Sequence, residues 1–98
     1  MNNSRKLAER YLKEFENVEK AVFVRKNYSK TTKSRYYQFY NKSEDDKLGF
    51  EYEILIVRIS DHGNRFENSF DFEGHHVSVD DQEYFDSLEE AKEYLELN

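Results

Sequence analysis

Reactive chemistry in this 98-residue chain has to come from histidine, carboxylate, hydroxyl or amine groups, because it contains no Cys. His62, His75 and His76 are the metal-ligand candidates, with Asp61 or Asp80 as a carboxylate partner, but their spacing is poor. Neighbouring strand residues point to opposite faces, so His75 and His76 cannot chelate one ion without a bulge, and His62 lies in a separate turn. The adjacent carboxylates Asp80-Asp81 and Glu89-Glu90 sit in hydrophilic sequence, with nothing apolar beside them to raise a pKa as a general acid needs. No Ser or Thr occupies a nucleophile-elbow pattern, and neither a glycine-rich phosphate loop nor an EF-hand pattern occurs. The expectation is a protein that is not an enzyme, with no metal and no cofactor.

What remains is charge, and it is sorted along the chain. Residues 1–47 hold 12 Lys and Arg against 7 Asp and Glu, net +5; residues 48–98 hold 3 against 14, net −11. Such asymmetry points to a surface that meets a charged partner. The basic stretch from Lys20 to Lys42 contains no acid and interleaves Arg25, Lys26, Lys30, Lys33, Arg35 and Lys42 with Tyr28, Tyr36, Tyr37, Phe39 and Tyr40. Cations that neutralise phosphates and rings that stack bases are the two parts of a single-strand-binding surface. The same pattern also fits core aromatics with lysines guarding an edge strand.

In the acidic half, Glu51, Glu53, Glu67, Asp71 and Glu73 fall on alternate positions. Asp80, Asp81, Glu83, Asp86, Glu89, Glu90, Glu93 and Glu96 follow. If outward strand faces align, these carboxylates lie about 5–7 Å apart and mimic the charge of a nucleic acid. A groove lined by Lys and Arg is the matching partner, met by steered association that weakens with salt.

These groups need elements to hold them. Leu7, Ala8, Tyr11, Leu12, Phe15 and Val18 recur at steps of three and four, which predicts one amphipathic helix from Ser4 to about Lys20. Asn2, Asn3 and Ser4 are candidate caps, and Glu9–Lys13 and Glu16–Lys20 are opposed pairs one turn apart. Period-two patterns then predict strands over Ala21–Tyr28, Arg35–Tyr40 and Phe50–Ser60, with a solvated loop over Asn41–Gly49. After a turn at 61–64, Phe66, Phe70 and Phe72 alternate as one face of a strand spanning 65–73. A short strand over His76–Val79, an acidic connection over Asp80–Glu83, and a helix opened by the capping boxes Asp86/Glu89 and Ser87/Glu90 complete the chain.

The expected fold class is α+β: an antiparallel sheet of four to five strands flanked by an N-terminal and a C-terminal helix, in one domain over 1–98. Eight Tyr and eight Phe offset a hydrophobic content of only 37%, since aromatics bury the most area per residue. The longest apolar run, Ile54–Val57, is far short of a membrane span, and residues 1–20 lack the apolar run of a signal peptide. Together with the absence of Cys this predicts a cytoplasmic, reducing location in a bacterium or an infected host cell.

The helix–strands–helix order loosely resembles the double-stranded-RNA-binding domain. That family opens its second helix with a lysine cluster, whereas this one begins Asp86-Ser87-Leu88-Glu89-Glu90, so the resemblance is set aside. In size and composition the chain is similar to small phage or mobile-element inhibitors of host defence, including anti-CRISPR proteins: short, acidic, Cys-free and rich in Lys, Asn and Tyr. That resemblance implies an inhibitor acting as a DNA mimic.

The primary reading is therefore a non-enzymatic inhibitor or adaptor. It presents Glu67, Asp71, Glu73, Asp80, Asp81, Glu83, Glu89, Glu90 and Glu93 to a basic, nucleic-acid-binding surface of a larger protein. The alternative is direct nucleic-acid binding through Arg25, Lys26, Lys30, Lys33, Arg35, Tyr37 and Lys42. A third reading is self-association, for example as a homodimer, through an exposed edge strand. No membrane partner is expected.

Overall fold

The computed structural model describes residues 3–43 and 49–97. In order, the elements are α1 (Asn3–Phe15), β1 (Val22–Ser29), β2 (Ser34–Lys42), β3 (Tyr52–Ser60), a 3-10 turn (Asp61–Gly63), β4 (Phe70–Phe72), β5 (His75–Phe85) and α2 (Leu88–Leu97). The strands form one antiparallel sheet in the order β1-β2-β3-β5-β4. This is the α+β arrangement expected from the sequence. The expected cap Asn2 and loop residues 44–48 lie outside the described residues.

The apolar run of β3 explains the layering. Leu55, Val57 and Ile59 share a core with Leu7, Ala8, Tyr11 and Leu12 of α1, while Ile54 and Ile56 share another with Ala91 and Leu95 of α2. Alternation sends these two sets to opposite faces, so each helix covers one side of the sheet. A strand buried on both faces reads as a continuous hydrophobic run, as β3 does.

α1 ends five residues before the expected Lys20. Asn17 takes φ 56°, and the Leu12 carbonyl accepts hydrogen bonds from the N–H groups of both Glu16 and Val18 at 3.0 Å. The left-handed Asn17 turns the chain out of the helix and the Val18 N–H returns to the Leu12 carbonyl, with Val18 buried beside Leu12 in the same core. Glu16 and Lys20 thus fall beyond the helix; Arg5 and Glu9 form an ion pair on its wet face.

Two further expectations are corrected. The strand predicted over 65–73 shrinks to Phe70–Phe72, because Phe66 leaves the row to lie under the Arg58 guanidinium, 3.8 Å from its ring centroid. Phe72 stays on the α1 side, edge-on to Tyr11 at 5.7 Å. Conversely, the predicted acidic connection over Asp80–Glu83 is strand: β5 runs unbroken from His75 to Phe85 beside β3. Carboxylates on an outer strand stay hydrated while the backbone pairs, so their charge does not end the strand. Ser87 then caps α2, its Oγ accepting from the Glu90 N–H at 3.2 Å.

Candidate binding surface

Two bulges decide which way the charges point. In β5 the register shifts between the pairs Val57↔Val79 and Ile56↔Asp81, leaving Asp80 as the extra residue. Val77 and Val79 face α1, and simple alternation would send Asp81 and Glu83 there too. The inserted residue turns them over, so Asp81 and Glu83 stand opposite Ile56 and Ile54, on the α2 side. A bulge between Phe23 and Arg25 in β1 does the same, placing Phe23 in the α1 core and Arg25 on the α2 side.

The turned acids meet α2. Asp81 Oδ2 accepts a hydrogen bond from the Tyr94 hydroxyl at 2.5 Å. That bond, with desolvation and the charges of Asp81 and Glu83 behind it, pushes the Tyr94 pKa up to about 12. Glu90 lies one helical turn before Tyr94, on the flank facing β5, while Glu89 and Glu93 are exposed on the outer side of α2. Tyr84, on the same strand, is also raised, first by partial burial and then by Glu53, Glu16 and Glu83. Asp80, Glu83, Glu89, Glu90 and Glu93 form no ion pair with Lys or Arg among the described residues.

A cleft of about 280 Å³ opens where α2 stops short of covering the sheet. Tyr36, Gln38 and Ile56 line it, with Asp80 and Asp81 on one bank and Asn27 and Ser29 on the other. A second hollow of about 300 Å³ lies round the β5 edge, lined by Tyr11, Glu16, Arg58, Phe66, Glu67 and Phe70, and again by Asp80. The bulged residue Asp80 therefore borders both.

Not every expected acid joins this surface. Glu73, in the β4–β5 turn, pairs with Arg10 of α1. Asp71 is exposed, and its Oδ1 accepts the Gly74 N–H at 3.3 Å. Glu67 lies in the irregular segment before β4, away from any strand row. Glu53 points into the α1 side, buried against the Gln82 amide at 2.6 Å. The predicted row of alternate carboxylates is thus replaced by a shorter group on β5 and α2.

Of the seven residues of the basic alternative, one is lost to the interior and two are engaged within the fold. Tyr37 is fully buried and has no free face for a base. Arg25 donates to the Leu95 carbonyl at 2.5 Å and to Gln38 Oε1 at 3.2 Å, and Arg35 lies 3.5 Å from Asp61 and from Ser4. α1 covers the β2 face that bears Tyr37 and Phe39, while on the other face Tyr36 and Tyr40 are half-buried beside the α2 core, Tyr36 lining the cleft. Lys26, Lys30, Lys33 and Lys42 remain exposed.

Sequence reasoning missed the cleft residues Ile56 and Asn27, which carried no motif, and read Tyr36 only as one of the rings in the basic stretch. A usable signal was present at Asp80-Asp81: two successive acids where the valine alternation breaks. Among the described residues no group of three or more His, Asp or Glu is placed to hold a metal, and no helix is long and apolar enough to cross a membrane. No protein-family model, curated protein or solved structure matches this chain.

Proposed function

We propose that the protein is a non-catalytic binding module whose β5–α2 side engages a basic surface of a larger protein, as an inhibitor or adaptor. The observation that carries this reading is the Asp80 bulge, which delivers Asp81 and Glu83 to the side where α2 contributes Glu89, Glu90 and Glu93. Negative charge held on an extended strand and an adjoining helix has few cations nearby to neutralise it. Such a field steers a Lys- or Arg-lined groove toward it, and a groove built for phosphates is the chemical match. The likeness in size and composition to small phage-encoded inhibitors supports the same reading.

The test separates location from net charge. One variant reverses Asp80, Glu83 and Glu90 to Lys; a control reverses Glu9, Glu14 and Glu19, outside this surface. Immobilised protein is used to capture partners from cells that contain it, with quantitative mass spectrometry. Basic nucleic-acid-handling proteins are expected with wild type and control but not with the first variant. Equal capture by both variants would overturn the proposal.

A further inference from the structure

We infer that copies of this chain join edge to edge, β1 of one copy adding to the open stretch of β5 of the next. β1 ends the sheet on one side, and on the other β5 runs on past the short edge strand β4. No strand lies beyond β1, and of the eleven residues of β5 only His75, His76 and Val77 pair with β4. Eight residues, Ser78–Phe85, are left with an outer edge that no strand pairs among the described residues. β1 also has eight residues. Their backbone groups are matched in number, and an unpaired edge is a template for another strand.

Chain direction also fits. β1 runs parallel to β3, and β3 is antiparallel to β5. An incoming β1 that continues the sheet without turning over is therefore antiparallel to β5, in the row that β4 begins.

Charge then selects this pairing over the others. β1 carries Arg25 and Lys26 with no acid, and Lys30 and Lys33 follow it; the open part of β5 carries Asp80, Asp81 and Glu83 with no Lys or Arg. Two β1 edges repel, as do two β5 edges, whereas β1 against β5 sets cations beside carboxylates. Both borders also expose apolar groups: Val22, Val24 and Tyr28 on β1, and Phe70 and Tyr84 at β5. The contact is heterologous, so it propagates into a ring or a filament instead of closing as a twofold dimer.

The experiment measures mass by light scattering and sedimentation at low ionic strength, on wild type and two variants. One carries Lys26→Glu and Lys30→Glu, the other Asp80→Lys and Glu83→Lys. Wild type should rise above the 11.9 kDa of one chain with concentration, and its association should weaken about tenfold or more when salt is raised. Each variant alone should stay monomeric. In their direct mixture the native β1 of one variant faces the native β5 of the other, and at the next junction the introduced glutamates face the introduced lysines, so both junctions again set opposite charges together and assembly should be restored. A single-chain mass for wild type up to about 1 mM protein, assembly indifferent to both variants, or a mixture that stays monomeric would each overturn the inference. The Lys26/Lys30 variant leaves the acidic surface intact, so failure here is distinguishable from failure of the proposed function.

Discussion

The Arg25 guanidinium donates a hydrogen bond to the main-chain carbonyl of Leu95 at 2.5 Å, tying the basic edge strand to the last turn of the acidic helix across 70 residues of sequence. The buried Gln38 amide donates to the same carbonyl at 3.2 Å and accepts from Arg25 Nε. A cation at a helix C-terminus complements the dipole, and the two donors satisfy a carbonyl that the helix leaves open. Arg25 thus acts as a clasp for α2.

Replacing Arg25 with Ala is expected to lower unfolding stability by about 1–3 kcal/mol, the range for a charge-assisted hydrogen bond partly shielded from water. Gln38→Ala should cost about as much, because it removes a buried amide whose two ends are both used. Urea denaturation measures both. A change below about 0.5 kcal/mol for each would show that the clasp contributes nothing.

The Asp81–Tyr94 bond predicts a pH signature. With the folded pKa raised from 10.0 to about 12, the neutral phenol is the form the fold favours. Its stabilising contribution is complete below about pH 10 and is lost as pH rises through 12. Ultraviolet titration should show a late-ionising tyrosine component that reaches about 12. Asp81→Asn, which removes the carboxylate, should bring that transition down toward 10; an unchanged titration would contradict the assignment.

The Asp80 bulge makes a sharper prediction about register. Asp80→Ala leaves the backbone count intact on an exposed residue and should shift stability by no more than about 0.5 kcal/mol. Deleting Asp80 would force Asp81 and Glu83 toward the α1 core, or pull Val77 and Val79 out of it. The deletion should unfold the domain or lower its melting temperature steeply. A deletion variant as stable as wild type would show that the bulge does not set the facing.

The sequence made the helices, the strand count and the central role of β3 legible, because amphipathic spacing and a two-sided apolar run leave few alternatives. It did not reveal the bulges, since one inserted residue changes which face a side chain occupies without changing composition. Reading Asp80–Glu83 as a connection treated hydrophilicity as loop, although an outer strand can hold four polar residues by pairing on one side alone. The stop at Asn17 was written in the residue type, yet the apolar period continued through Val18 and masked it.

For the basic stretch, the expectation is that Tyr37→Ala acts on stability and not on nucleic acid. Removing so large a buried ring should cost about 3–5 kcal/mol. Alanine at Lys30, Lys33 and Lys42, all exposed, should change stability little. A labelled single-stranded DNA or RNA should show no saturable binding at micromolar protein; saturable binding lost in the lysine variant would restore the nucleic-acid reading.

The most direct test of the central claim, that negative charge is gathered on the β5–α2 side, is a residue-resolved NMR titration of the isotope-labelled protein with a short arginine-rich peptide at low ionic strength. The account predicts saturable shifts concentrated at Asp80–Glu83 and at Glu89, Glu90 and Glu93, with Glu9 and Glu14 of α1 unmoved. Shifts spread evenly over all exposed acids, or centred on α1, would contradict it.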